Sequence, residues 1–433
     1  YSICQSSLVF SKVTGTPVAF HIAAVNSTPY YIETIMKYKT ILITGATGFL
    51  GSYITRELFE AGFHLKLLIR NTANVQAKER ISEVFPSFET MGSVFDTLSD
   101  RIEIIDGDIS QKYLGLNAQN YSRLSDTVDE VFHCAAATKF YDGPDNTLDY
   151  TNVNGTEHIG WFCLSSKPKR FHYISTAYVA GTRRDTVFEH ELEKRQAFRN
   201  NYEKSKFDAE RLLMQFTSQY NIPTTIYRPS IIVGDSKTGF THNYDNIYVF
   251  GKGLRHLKNY EIRNNYNETR FHGGSGIGHA ASLRIPGDKY GTINLVPVDY
   301  VTQAIIAISG QTTSINKTFH LVNPSPPTLG ELAEWMAVAT GFHSIKIVPI
   351  YEFQILPHTI QEKLFLQGTD TFQPYMFGES YFDSTNTKNL LSGTAIECPL
   401  ITQELINRFI QYAENTNWGK KKQFANNSFT RIR

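Results

Sequence analysis

Cysteine is scarce in this 433-residue chain, with four at Cys4, Cys134, Cys163 and Cys398 and no C-x-x-C pair. That spacing argues against both a zinc site and a disulfide scaffold. No other metal motif is present, so no metal is expected. Long apolar runs are also lacking. None approaches the roughly 20 residues that a bilayer-spanning helix needs, so no integral membrane segment is expected. Charge of one sign is not in excess, since 42 Lys and Arg face 41 Asp and Glu, for a net charge of +1. Bulk attraction to nucleic acid is therefore not expected. No internal repeat is seen. A cytoplasmic location is the default expectation, and the sequence does not reveal an oligomeric state.

What is there is length and aromatic side chains. The chain is long enough for a large core and two lobes. Its 24 Tyr and 29 Phe favour apolar pockets over a highly charged surface. Residues 1–36 lack clear periodicity and read as a disordered extension, with the functional chain starting near Met36. Residues 37–235 read as one domain, completed by 296–323. Residues 236–295 and 324–417 read as a substrate lobe, and 418–433 as a basic, flexible tail.

The chain is organised around Ile41-Leu-Ile-Thr-Gly-Ala-Thr-Gly-Phe-Leu-Gly51. An apolar run ends at Thr44, glycines follow at Gly45, Gly48 and Gly51, and a helical pattern begins. This predicts strand, tight turn and helix. Glycine lets the backbone turn sharply and approach a pyrophosphate closely. The helix start behind it offers free N–H groups to phosphates.

The second strand, Leu65–Arg70, ends in arginine where an NAD-preferring fold wants a carboxylate for the ribose hydroxyl. A guanidinium instead suits the 2′-phosphate of NADPH. Arg80 follows ten residues later, either as a second phosphate ligand or as a solvated helix face. Ile102–Ile109 predicts the third strand, with Asp108 and Ile109 falling where related folds let a carboxylate and the next backbone N–H meet adenine. Glu130–Ala137 predicts the fourth, and its small residues Ala135 to Ala137 leave room for a cofactor. His133 and Cys134 are adjacent, so their side chains point to opposite faces of a strand. They read as core rather than as a ligand pair. Asn152 opens the next helix, either as a cap or by ordering water or backbone near the site.

Phe171–Thr176 predicts a strand with Ser175 and Thr176 at its ligand-binding end. Tyr202-Glu-Lys-Ser-Lys206 places Tyr202 and Lys206 one turn apart on one helix face. A free tyrosine has a pKa of about 10, and a nearby ammonium favours the phenolate. A fall of about 3 units, roughly 4 kcal/mol, is the expectation here. It would let Tyr202 exchange a proton near neutral pH. Thr176 can hydrogen-bond a developing oxyanion, and Lys206 can also hold the nicotinamide ribose.

Together these stretches resemble the extended short-chain dehydrogenase/reductase superfamily. The narrower likeness is to its thioester reductase branch, which includes the reductase domains of carboxylic acid reductases and nonribosomal peptide synthetases and the fatty acyl-CoA reductases. The likeness rests on Thr44–Gly51, on Leu68-Ile-Arg70 with Arg80, and on Gly107-Asp-Ile-Ser110 followed by Leu114-Gly-Leu116. It continues through Asn152–Thr156, Ser175-Thr-Ala-Tyr-Val-Ala-Gly181, Asn201-Tyr-Glu-Lys-Ser-Lys-Phe207 and Tyr227-Arg-Pro-Ser-Ile-Ile-Val-Gly234. It covers about residues 38 to 240.

The resemblance implies an α/β, Rossmann-type doubly wound parallel sheet with a smaller, mostly helical C-terminal lobe. It implies catalysis by Thr176, Tyr202 and Lys206 with Asn152 in support. It implies NADP(H) held by Gly45, Thr47, Gly48, Phe49, Leu50 and Gly51, and by Arg70, Arg80, Asp108 and Ile109. Ala135, Ala136, Lys139, Tyr202, Lys206, Pro229, Ser230 and Ile232 complete that implied set. Many relatives carry Asn where this chain has Cys134. Phe372–Phe377 and Tyr381–Leu390 resemble the branch's C-terminal lobe, where the aromatic cluster is either an acyl channel or core.

The expected reaction is NADPH-dependent reduction of an acyl thioester to an aldehyde, with a second reduction to the alcohol left open. The thiol carrier is either coenzyme A or the phosphopantetheine of a carrier protein. Two alternatives stay open. One is a sugar-nucleotide epimerase or dehydratase, or a hydroxysteroid-type dehydrogenase, of the same superfamily. The other is a non-catalytic NADPH-binding sensor.

Overall fold

A computed structural model of the chain describes residues 39–72, 75–84, 100–140, 146–272 and 282–420. The N-terminal extension, and the tail beyond 420, lie outside the described residues. Seven strands form the main sheet: β1 (Thr40–Thr44), β2 (His64–Ile69), β3 (Ile102–Asp106), β4 (Glu130–His133), β5 (Arg170–Ile174), β6 (Thr224–Pro229) and β7 (Lys317–Leu321). All pairings are parallel, in the order β7-β6-β5-β4-β1-β2-β3. A parallel sheet is covered on both faces, which is why β1, β4 and β6 read as near-continuous runs of buried residues. This is a Rossmann-type arrangement. The strand order reverses between β1 and β4, and the crevice beyond their C-terminal ends is where such sheets bind ligands.

One face of the sheet is closed by the helices Phe49–Glu60 and Val298–Ser309, whose Tyr53, Ile54, Leu58, Val301, Ala304 and Ile305 join Ile41, Ile43 and Leu67 in one core. The other face is closed by Gly155–Ser166 and Asn201–Tyr220, which bring Ile159, Phe162 and Leu213 against Leu42, Val131 and Phe171.

A further core lies apart from the sheet. It is built from the helices Ile247–His272, Leu329–Thr340 and Gln403–Asn415 and the parallel strand pair Leu283–Pro286 with Ile345–Val348. The helix Leu329–Thr340 begins with a capping box, in which Thr328 and Glu331 satisfy each other's backbone N–H. Weak periodicity over 236–295 gave no expectation of the 26-residue helix Ile247–His272. Its interior Gly251 and Gly253 carry poor helix propensity. They are tolerated because Ile410 and Phe365 pack directly on them.

Candidate active site

The loops after β1, β4, β5 and β6 converge on one crevice. Gly45 has φ +76°, and a Cβ there would lie 2.5 Å from the Ala135 nitrogen. The turn after β1 therefore touches the loop after β4. A Cβ on Gly51 would lie 2.1 Å from the Gly45 carbonyl oxygen, so these two glycines are needed for the turn itself. The helix Phe49–Glu60 starts behind Gly48 with no side chain capping it. Its first-turn N–H groups have no intrahelical acceptor. Thr47, Gly48, Phe49, Leu50 and Gly51 all line a cavity of about 990 Å³. An uncapped helix start on a cavity wall fits a pyrophosphate, so these residues fit a dinucleotide.

Two guanidinium groups sit beside the turn. Arg80 donates from Nη1 to the Arg70 carbonyl at 2.6 Å and from Nη2 to Thr47 Oγ1 at 3.2 Å. Arg70 lies 3.7 Å from the Asp108 carboxylate. Burial, and the Arg70 charge beside it, lower the Arg80 pKa. Two adjacent cations of this kind favour an anion between them. Asp108 turns its other oxygen to its own loop, accepting from the N–H and hydroxyl of Ser110 at 2.9 and 2.8 Å. The Ile109 side chain is buried against Gly155, and its carbonyl lies 2.7 Å from His158 Nδ1. Neither residue is on the cavity wall, nor are Gly45, Arg70, Arg80, Ala135 and Asn152.

Further along the same wall stand Ala136, Lys139, Pro229, Ser230 and Ile232, together with Thr176, Tyr202 and Lys206. Tyr202 opens the helix Asn201–Tyr220, which Asn200 caps by accepting the Glu203 N–H at 2.9 Å. Thr176 lies two residues beyond β5 and caps the short turn Ala177–Ala180.

The expected fall in the Tyr202 pKa is not what the geometry produces. Burial pushes it up to about 12, against a hydrogen bond with Thr176 that lowers it. Lys206 instead points along β5, donating to Tyr173 Oη at 3.0 Å and to the Ile174 carbonyl at 2.8 Å. Burial pulls Lys206 down to about 8 while Glu210 and Cys134 oppose the fall. At neutral pH Tyr202 is thus a neutral phenol and Lys206 mostly an ammonium, with one of its three N–H bonds not taken up by these two partners.

Asn152 does not cap a helix. It lies inside a π-helical stretch, Asp149–Asn154, that runs into Gly155–Ser166. The wide turn lets its amide reach the loop after β4, accepting the Ala137 N–H at 2.8 Å and donating to the Ala137 carbonyl at 3.0 Å. The same amide donates to Ser205 Oγ at 2.8 Å. Asn152 therefore ties the β4 loop to the residue beside Lys206, as a positioning group.

His133 is core as expected, with Nδ1 2.7 Å from Thr44 Oγ1. Cys134 is only partly buried, and it lines the cavity. It also packs on the main core, as expected, and reaches the cavity because it follows the last residue of β4, where alternation ends.

Sequence reasoning missed the layer behind the site. Arg228 and Glu210 form a buried ion pair at 2.5 Å, and Ser175 donates from Oγ to Glu210. This locks β5, β6 and the Tyr202 helix together. Tyr178 donates to Glu379 at 2.7 Å, a carboxyl that burial raises to about 8. Tyr375 donates to Glu203 at 2.7 Å. The only signal was Tyr178 lying two residues past Thr176, since its partner Glu379 is 201 residues away.

Among the described residues no helix is long and apolar enough to cross a membrane, and no cluster of three or more metal-ligating side chains occurs. The chain is 26% identical over 397 residues to a linear gramicidin synthase of Brevibacillus parabrevis, covering 88% of this chain and 7% of that protein. It is 26% identical to a carboxylic acid reductase of Mycobacterium marinum, over 69% of this chain and 26% of that protein. The chain thus spans about a quarter or less of these two relatives. Among solved structures, the terminal R domain of the myxalamid PKS-NRPS pathway superposes with a TM-score of 0.71 at 26% identity, covering 88% of this chain and 91% of that one. A UDP-glucuronic acid 4-epimerase of Bacillus cereus bound to NAD shares the fold, with a TM-score of 0.59 at 17% identity over 88% of this chain and 99% of that one. Residues 43–305 match the NAD-binding family model described as "Male sterility protein". With more than half its length matched, the chain belongs to that family.

Proposed function

We propose that the chain is an NADPH-dependent reductase of acyl thioesters that releases an aldehyde. The observation that carries the reading is the meeting of Thr176, Tyr202 and Lys206 on the wall that also carries the uncapped glycine turn. The likeness to carboxylic acid reductases and to a terminal R domain supports the thioester as substrate. The structural likeness to a thiolation-reductase di-domain, at 20% identity, extends to the fold alone. A phosphopantetheine carrier and coenzyme A both remain within the proposal.

Bound NADPH supplies the hydride. Arg70 and Arg80 would hold its 2′-phosphate, and the first turn of Phe49–Glu60 would hold its pyrophosphate. Tyr202, a neutral phenol, donates its proton to the carbonyl oxygen as that oxygen gains charge. Thr176 hydrogen-bonds beside it, and the Lys206 ammonium stabilises the phenolate left behind. The hemithioacetal then collapses: the Tyr202 phenolate takes back the hydroxyl proton as the C=O bond re-forms, the C–S bond breaks, and the departing thiolate takes a proton from water. No enzyme nucleophile is required, because the substrate arrives activated. The Cys134 thiol, raised to about 12 by burial, is unsuited to that role.

The test is loss of NADPH absorbance with acyl-CoA and acyl-pantetheine substrates. Turnover that falls about 10²-fold or more in Tyr202→Phe is expected. A Tyr202→Phe variant as active as the parent would overturn the mechanism. Turnover of sugar nucleotides or steroids, with no turnover of thioesters, would favour the alternative.

A further inference from the structure

The cavity does not stop at the proposed reacting groups. It continues into the core beside the sheet, where strands Leu283–Pro286 and Ile345–Val348 and helix Leu329–Thr340 form its wall. A series of ring contacts marks the path. Tyr202 lies 6.3 Å from Phe140, Phe140 5.1 Å from Phe372, Phe372 5.9 Å from Phe250, and Phe250 5.7 Å from Phe365. The helix contributes Leu329, Leu332, Ala333 and Met336, spaced three and four apart so that they share one face. The strand pair contributes Ile285, Ile345 and Ile347. Not one of these seven side chains offers a conventional hydrogen bond, and the strand backbones are paired with each other.

This chemistry separates the acyl groups that a thioester could carry. A peptidyl chain placed here would leave its amide N–H and C=O groups unpaired, at a cost for each. Asp245, Asp370 and Thr371 line other parts of the same cavity, but along these seven side chains a plain hydrocarbon chain meets apolar groups and gains with every methylene. Ala333 is the smallest side chain on that helical face, flanked by Leu329, Leu332 and Met336. A larger side chain at this position would narrow the chamber.

We infer that this inner chamber is the binding subsite for an unsubstituted hydrocarbon chain, and that Ala333 sets the length it admits. For the acyl group this rests on the thioester reductase reading. The chamber itself can be tested without turnover.

Two measurements together decide it. The first is kcat/KM for butanoyl-, octanoyl-, dodecanoyl- and leucyl-leucyl-pantetheine. With the parent chain, kcat/KM should rise about fourfold per methylene until the chamber is filled, with the dipeptidyl thioester far below octanoyl. Ala333→Phe should leave butanoyl turnover near the parent value and cut dodecanoyl turnover by about tenfold or more. Retained butanoyl turnover shows that the variant folds, and Met336→Ala should move the optimum towards longer chains. The second is calorimetric binding of dodecan-1-ol, expected for the parent and weakened about tenfold in Ala333→Phe. Dodecan-1-ol binding with no thioester turnover would retain the chamber and sink the reductase reading. Turnover that is indifferent to chain length, or as good with the dipeptidyl thioester, would sink the chamber and retain the reductase. Failure of both measurements would overturn both.

Discussion

Tyr202 and Lys206 lie one turn apart on a helix, yet the ammonium is directed to Tyr173 and Ile174 rather than to the phenol. Burial raises Tyr202 to about 12 and lowers Lys206 to about 8. Each shift disfavours the charged form, as desolvation must. Lys206 loses its charge as pH rises through about 8. If the ammonium stabilises the transient phenolate, kcat/KM should fall tenfold per pH unit above that value. Arginine keeps its charge beyond pH 12. A Lys206→Arg variant should therefore be slower but show no fall in that range. The same decline in the variant would assign it to another group. The residue types and the spacing of this pair were legible in the sequence. The direction of the Tyr202 shift was not, because it depends on what surrounds the ring.

At the scale of elements, the Tyr202 helix is held by more than its own hydrogen bonds. Glu210, one turn beyond Lys206, pairs with Arg228 of β6 and receives Ser175 Oγ at the end of β5. His320 of β7 lies 3.2 Å from the same guanidinium. Removing one partner from such a pair leaves a buried, uncompensated charge, which costs about 3–5 kcal/mol. Glu210→Ala should lower stability by that amount, read as a fall in the urea midpoint. A cost under about 1 kcal/mol would mean that water reaches Arg228. The strands of the main sheet were readable because each is an apolar run closed by Gly, Pro or a polar cluster. The π-helical stretch that turns Asn152 towards Ala137 was not readable. One residue of extra winding leaves no compositional trace, so the sequence left Asn152 open between a helix cap and a group that orders water or backbone near the site.

For the whole molecule, the crevice joins the first half of the chain to a core built from its second half. A dinucleotide bound there stabilises the folded state by mass action, by about 4 kcal/mol at a thousandfold excess over Kd. If Arg70 and Arg80 hold a 2′-phosphate, NADPH should raise the melting temperature more than NADH at equal concentration. Arg80→Ala should remove most of that difference. Equal shifts with the two cofactors would refute the phosphate role.

The sequence by itself determined the nucleotide-binding half. The glycine turn, the Thr176–Tyr202–Lys206 order and the parallel-sheet runs are local patterns, and period, spacing and backbone freedom are written along the chain. Only the tertiary structure decided the rest. It put Glu379 on Tyr178 and Glu203 on Tyr375 across 201 and 172 residues. It also turned part of the aromatic stretch after Thr371 into cavity wall, with Phe372, Tyr375 and Met376 lining it while Phe382 packs in a small core behind Tyr178. Apolar side chains have the same composition in a core and in a chamber. What separates them is the space left between elements, and only the packing of those elements sets that.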